Sequence, residues 1–569
     1  MKSLLIFFLF LNLGLSCCAQ NFQLRIIGSS NSETKTIDSI NYISKHKNLK
    51  SLNDEIGTIS EKLSKIGYIE NLILENTREG DSIYNSKISL GKRLKYIHIY
   101  IGRNIELKKL ITNDTKSDTI IIPFEEAEVF LNNTIHKLEQ EGFSLAKLKL
   151  NNIKNKNETI FADLIFLTDK QRILNSIVIK TAENGRKTNF PKGYLEQINK
   201  KYLNKTFNKE ILKQIHDDFE KFGFVKQLKY PEILFAKDTT KAYIYLEKRK
   251  SNIFDGFIGF SNNENKNITF NGYLDITLEN TLHTGELFSL YWKTDGNNQK
   301  TFKTTLELPY LFKSPIALKA QINIFKQDST YQNTKTAIDL GYFLNYSSRI
   351  YLGYQSTESS DIQNTNSKQL SDYKNSFATL NFEYTKKDNT SLLFTKKTFI
   401  SLNVGFGKRE TKNQAEEIGL NRQFYIDLLA SHNFYLDKKN SIQVKSQNYY
   451  LQSDKYIINE LFRFGGFSSI RGFEENSLQA NFLTTILTEY RHTLSPSLYI
   501  HSIIDFGLTQ DKTFIQIDSQ KQKLLSIGLG LGLLTKNGLL NLAFANGKNN
   551  NSKLTFYNTI VHICYNVKF

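Results

Sequence analysis

Bond-making chemistry leaves traces in a sequence, and this one carries none of the strong ones. There is no Gly-x-Ser-x-Gly elbow, no phosphate-cradling loop with its lysine and no paired-carboxylate signature, which argues against an enzyme. The cysteines are Cys17, Cys18 and Cys564, and no Cys/His spacing suits zinc, so neither a metal nor another cofactor is expected. The residues that stand out are of another kind. Gly465-Gly466 is followed by Ile470-Arg471-Gly472-Phe473, a single guanidinium set among glycines. Asp505 and Gly507 lie in Ile503-Ile504-Asp505-Phe506-Gly507, and Glu489 in Glu489-Tyr490-Arg491. Gly528, Gly530 and Gly532 alternate with Ile527, Leu529, Leu531 and Leu533. Isolated charges of this sort fix a register or a conformation; they do not transfer groups.

The elements that must position them are strands. From residue 254 onward the apolar period is two. Ile268, Phe270, Leu274, Ile276 and Leu278 are interleaved with Thr269, Asn271, Tyr273, Asp275 and Thr277. The last segment sets Val561, Ile563, Tyr565, Val567 and Phe569 against His562, Cys564, Asn566 and Lys568. Such segments begin near 254, 268, 285, 299, 314, 333, 348, 377, 398, 422, 440, 480, 498, 523, 538 and 557, which predicts 16 antiparallel strands. Within one of them Leu498, Ile500, Ile504 and Phe506 share a face, so Asp505 points the other way. Three glycines on one face of the 523 strand imply that something packs closely there. Gly256 and Gly259 weaken the first strand in the same sense.

Beyond the first twenty residues no apolar run reaches the ~18 that a membrane helix needs, so entry into a bilayer requires a barrel. A barrel closes because an open edge in lipid leaves backbone groups unsatisfied. The composition fits: 40% hydrophobic, 12% aromatic with 41 Phe and 29 Tyr, and an unremarkable average because lipid-facing and lumen-facing residues cancel. A soluble all-β domain is the competing reading, and it gives no reason to end on an exposed aromatic such as Phe569. The net charge of +18 suits solvated surface and anionic lipid head groups, and no nucleic acid is expected of an exported chain.

Export is read from the front: Lys2, an apolar run from Leu4 to Leu15, then small residues, with cleavage after Ala19 and a lipidated Cys17 as the alternative. Three helical periodicities follow. Leu52, Ile56, Ile59, Leu63 and Ile66 lead to Gly67-Tyr68; Ala127, Leu131, Ile135 and Leu138 lead to Gly142-Phe143; Leu212, Ile215, Phe219 and Phe222 lead to Gly223-Phe224. In each a left-handed glycine is expected to stop the helix. Strand-like stretches flank each helix, so the repeat is a β-α-β-β module. The predicted organisation is a signal peptide over 1–19, modules over 20–93, 94–170 and 171–250, and a barrel over 251–569.

Exported modules of this size and order before a barrel resemble polypeptide-transport-associated (POTRA) domains. The Gly-Gly pair followed by Ile470-Arg471-Gly472-Phe473, between the eleventh and twelfth strands, resembles the loop of the BamA/TamA outer-membrane assembly superfamily. The fold so implied is α+β periplasmic POTRA repeats followed by an all-β transmembrane barrel. The resemblance further implies that this loop folds into the barrel and that Arg471 meets Asp505 on the thirteenth strand, with Glu489 sharing the arginine and Gly507, Gly528, Gly530 and Gly532 receiving the loop. Ser502 stands where the family often places an aromatic residue. Three modules and no plug helix look most like the TamA-type branch. The implied function is insertion or translocation of unfolded outer-membrane or secreted client proteins. Modules capture them by edge pairing, and a lateral seam between the first and last strands (Gly256, Gly259, Tyr565, Phe569) admits them. Outer-membrane lipids and a periplasm-spanning protein are the other implied partners. A dedicated two-partner-type exporter and a passive outer-membrane pore are the alternatives.

Overall fold

The computed structural model describes residues 22–80, 82–102, 108, 111, 117–167, 170–181, 190–262, 268–294, 299–363, 370–388, 391, 393–412, 418–513, 521–535, 538–550 and 559–568. The signal segment with Cys17, and Phe569, lie outside them, as does the side chain of Tyr565. The chain divides into two compact units: 1–173 with 205–211, and 174–204 with 212–569.

The first unit holds two α/β sheets. In one, β1 (Phe22–Gly28), α1 (Asn31–Ser39), β2 (Lys45–His46), α2 (Leu49–Lys65), β3 (Leu72–Glu79) and β4 (Ile83–Ser89) build the order β2-β1-β4-β3. The α2 face Leu52, Ile56, Ile59 and Leu63 is buried against Leu24 and Ile26 of β1, as the steps of three and four require. Asn48 caps the helix by accepting the Ser51 N–H at 2.8 Å. Gly67 ends it at φ +107°, and the Tyr68 N–H returns to the Leu63 carbonyl at 2.9 Å. The other sheet contains β5 (Tyr96–Tyr100), β6 (Thr119–Pro123), α3 (Ala127–Gln140), β7 (Lys147–Lys156) and β8 (Thr159–Leu167), in the order β6-β5-β8-β7. Gly142 stops α3 at φ +93°, again with a return bond from Phe143 to Leu138.

The second unit opens with β9 (Leu174–Thr181), α4 (Lys192–Tyr202), α5 (Lys209–Glu220), β10 (Val225–Gln227), β11 (Glu232–Phe235) and β12 (Thr240–Lys248). Here β12 pairs in parallel with β9 and antiparallel with β10 and β11. Two expectations need correction. The first and third sheets each carry two helices, because α1 and α4 are short, bury one and two residues respectively, and leave a weak period in the sequence. Gly223 is not left-handed: positive φ marks Gly67 and Gly142 but not Gly223. A side chain at Gly223 would instead point at the Glu279 carboxylate and the Lys387 ammonium, the movable ends of two charged side chains.

Barrel strands follow: β13 (Ile253–Asn262), β14 (Ile268–Glu279), β15 (Leu287–Thr294), β16 (Gln299–Leu308), β17 (Ile316–Gln327) and β18 (Tyr331–Asn345). Next come β19 (Ser348–Asp361), β20 (Tyr373–Lys387), β21 (Lys396–Lys412), β22 (Ile418–Tyr435) and β23 (Asn440–Ser453). A hairpin of β24 (Phe462–Phe464) and β25 (Leu478–Ala480) interrupts the wall. It resumes with β26 (Phe482–Ser495), β27 (Leu498–Gln510), β28 (Gln522–Leu534), β29 (Gly538–Lys548) and β30 (Ile560–Lys568). These sixteen wall strands, β24 and β25 excluded, form one closed antiparallel barrel. Strand starts fall within four residues of the alternation reading, the largest departures being 373 for 377 and 418 for 422.

Alternation decides what faces what. In β27, Ile500, Ile504 and Phe506 are 47, 56 and 44% exposed on the outer face, while Asp505 between them is 0% exposed on the inner one. In β18, Ile338, Leu340 and Tyr342 point out and Asp339 is buried. Outer faces as apolar as those of β18 and β27 need lipid against them. Among the described residues no helix is long and apolar enough to cross a membrane.

Candidate functional site

The segment between β23 and β26 leaves the wall and packs inside the barrel. Its inner core is Phe464, Ile470 and Ala480 against the wall residues Leu483, Leu487 and Leu524. Gly465 and Gly466 take φ +110° and +93°, which reverse the chain after β24; the Ser469 N–H then bonds the Gly466 carbonyl at 3.1 Å. This turn delivers Arg471 to the lumenal face of β26 and β27.

There the guanidinium is held on two sides. Its Nη2 donates to Asp505 Oδ1 at 2.6 Å and its Nε to Oδ2 at 2.9 Å, a two-pronged pair. The Arg471 backbone N–H adds a bond to Oδ2 at 3.2 Å, and the Thr488 N–H reaches Oδ1 at 3.3 Å. Nη1 donates to Glu489 Oε1. Glu489 in turn accepts from Arg491, whose Nε lies 2.8 Å from Oε2. Charges taken this far out of water are tolerated only when every lone pair and proton is matched, and Asp505 receives four donors.

Of the residues named from sequence, Gly465, Gly466, Ile470, Arg471, Gly472, Phe473, Glu489, Asp505 and Gly507 come together. Ile470 Cδ1 lies 3.3 Å from where a Cβ of Gly507 would sit. Gly472, at φ +75°, crosses so near β29 that a side chain would stand 2.4 Å from the Gly547 nitrogen. The glycines of β28 do something else. A Cβ at Gly532 would meet the Tyr499 ring and one at Gly530 the His501 ring, at 2.0 and 2.5 Å, while one at Gly528 would meet the Phe544 carbonyl and Ala545. Rings of β27 lie against Gly530 and Gly532, and the β29 backbone lies against Gly528, so the close neighbours of these three glycines are wall strands and not the loop.

Besides Gly507, the loop packs on Gly547, which was missed, as were Lys445, Gln447 and His562. Lys445 donates to the Ser468 carbonyl, and Ser469 Oγ to Gln447 Oε1 at 2.7 Å. A second anchor lies earlier in the loop, where buried Arg409 of β21 donates to Glu460, whose side chain is 4% exposed, and Gln423 Nε2 bonds the same carboxylate at 2.8 Å. Charged residues in a period-two strand carry no mark of their partner, so these pairs have no sequence signal. The lumen is not packed solid. A cavity of about 530 Å³ beside Arg471 is lined by Lys445, Glu489, Arg491 and Phe394, and the Arg491 guanidinium lies 4.5 Å from the Phe394 ring.

The closing seam is the other feature of the site. β13 pairs β30 at Ile253↔Lys568 and Phe254↔Val567, two positions among the described residues. Its neighbours β13–β14 and β29–β30 pair at ten and eight. Cys564 Sγ lies 3.9 Å from Asp255 Oδ2 across it. Gly256 and Gly259 of β13 pair with Leu274 and Asn271, and Tyr565 of β30 with Leu540.

A sixteen-stranded barrel that follows α/β modules in the chain, with a charge-anchored loop packed in its lumen and a short closing seam, defines a class of membrane barrel. Residues 280–560 match the Omp85 superfamily domain, so this stretch of the chain carries an Omp85 domain. A comparison with curated proteins finds no match. Among solved structures the fold is similar to CdiB from Acinetobacter baumannii, at 15% identity over 92% of this chain and 97% of that one, with a TM-score of 0.51. BamA from Haemophilus ducreyi lacking POTRA domains 1–3 gives 14% identity over 82% and 97%, at a TM-score of 0.47. CdiB from Escherichia coli gives 11% over 90% and 98%, at 0.49. At such identities the likeness is one of fold.

Proposed function

We propose that this protein inserts or translocates other proteins at the outer membrane, with its α/β modules in the periplasm and its place in the TamA-like branch. The observation that carries the reading is the seam. Among the described residues the seam ladder has two paired positions where neighbouring ladders have ten and eight, so it is the ladder that an incoming strand displaces at least cost. A client strand pairs there through main-chain hydrogen bonds and passes sideways into lipid. The free energy comes from the client's own folding and burial, so no covalent step is needed.

Capture precedes insertion. β3 is a sheet edge, and Leu72, Ile73 and Leu74 on it are 65, 44 and 54% exposed. An edge strand with apolar side chains on both faces suits addition of an extended, unfolded chain. The Arg471 network supports the reading from inside, because it holds the loop in one position while the seam works.

Comparative proteomics of outer membranes with and without the protein tests this. Loss of several different barrel proteins is expected. Loss of one secreted passenger alone replaces the assembly role with that of a dedicated exporter, and an unchanged outer membrane rejects both.

A further inference from the structure

The lumenal loop does not stop at its arginine partners. Past Arg471 it reaches both sides of the seam. The Gly472 N–H points at His562 Nε2 of β30 at 3.4 Å, and the Phe467 ring centroid lies 6.0 Å from the His562 ring. The Phe473 ring presses on Gly547 of β29, 2.6 Å from where a Cβ would sit. Two residues later Glu475 forms an ion pair with Lys293 of β15. In the barrel order β30 is followed by β13, β14 and β15, so His562 stands on one side of the seam and Lys293 on the other.

Height along the wall matters as much as side. The seam ladder ends at Phe254↔Val567. Lys293 pairs with Tyr273, which pairs with Phe257, three residues beyond Phe254 on β13. His562 lies five residues before Val567 on β30, in the same direction. Both contacts therefore sit beyond the last paired position, where the ladder itself does not join the two strands.

We infer that residues 472–475 form a strap that holds the seam closed from within, with His562 and Lys293 as its anchors on opposite sides. Lys293, Glu475, Gly547 and His562 are positioning residues: they touch the seam strands or their neighbours and not the client. The strap has one firm end and one loose end. At Gly547 there is no room for a side chain on either partner, whereas Lys293 and Glu475 are both half-exposed and their pairing is weak. A weak outer end suits a contact that lets go when a client strand arrives. The inference rests on the reading that the seam admits clients.

The test uses the full chain in lipid vesicles, with Cys564→Ser and a cysteine pair at the Cα partners Phe254→Cys and Val567→Cys. Under mild oxidation, disulfide yield reports how often the seam is closed. Glu475→Gln is expected to slow crosslinking about two- to fivefold, the range open to a half-exposed ion pair. The exchange Lys293→Glu with Glu475→Lys is expected to restore it. Heat-modifiable migration of the barrel on a gel stays unchanged in both, which separates a loosened seam from a misfolded barrel. Equal crosslinking in wild type and Glu475→Gln, or no rescue by the exchange, overturns the strap. A seam loosened by Glu475→Gln in a protein whose wild type assembles no client keeps the strap and rejects the assembly reading; an unchanged seam rejects the strap whatever the client assay gives.

Discussion

At the scale of single residues, the lumenal charges act through what is left when one is removed. Asp505 is fully buried and matched by four donors, three of them from Arg471. Arg471→Ala deletes two of these and strands a carboxylate in the barrel interior, a loss of about 3–5 kcal/mol for a buried pair broken from one side. The expected outcome is a lowered melting temperature of the loop–wall packing and impaired activity, with the α/β modules still folded by circular dichroism. Asp505→Ala behaves alike, and reversing both charges partly recovers activity. Glu489→Gln costs less, because Asp505 still holds Arg471. Activity unchanged in both single mutants removes the assignment. The loop and its aspartate were legible through the resemblance carried by Gly465-Gly466 and Ile470-Arg471-Gly472-Phe473, while alternation alone placed Asp505 on the inner face. Glu460, Lys293 and His562 were not, since any lumen-facing strand position can hold a polar residue and sequence does not say which pairs meet.

At the scale of elements, legibility followed the strength of the period. The barrel strands repeat every two residues for 8 to 18 positions, and their starts could be placed within four residues. The α2 face is a clean run of leucines and isoleucines and was equally plain. The short α1 and α4 bury one and two residues respectively, too few to show a face in sequence. Gly223 misled because a glycine at the end of a helical period need not be left-handed, and only the backbone tells the cases apart. The edge strand β3 carries its own prediction. Leu72→Lys with Leu74→Lys adds charge to an exposed edge without touching the Leu24–Ile59 core. Stability should shift by less than about 0.5 kcal/mol, as surface changes do. Binding of an unfolded barrel client, read by photocrosslinking from β3, should fall several-fold. Full crosslinking in the double mutant moves client capture away from this edge.

At the scale of the molecule, the question is whether the closed wall conducts. Sixteen strands enclose enough space for an aqueous channel unless something fills it. Here the filling is a single covalent loop pinned at several stations: Glu460 to Arg409, Ser469 to Gln447, Arg471 to Asp505 and Glu489, and Glu475 to Lys293. Those stations lie on β21, β23, β27, β26 and β15, so the loop crosses the lumen and does not hug one side. A plug tied at many points passes little current while tied and much when its deepest tie is cut. In planar bilayers the wild-type protein is expected to show low, flickering conductance. Arg471→Ala should raise both the open fraction and the step size, because the buried pair is the tie with the most hydrogen bonds. Large steady steps in the wild type that Arg471→Ala leaves unaltered would mean that the loop blocks nothing. The chain would then be a passive pore with an ornamented wall, and the seam would have no client to admit.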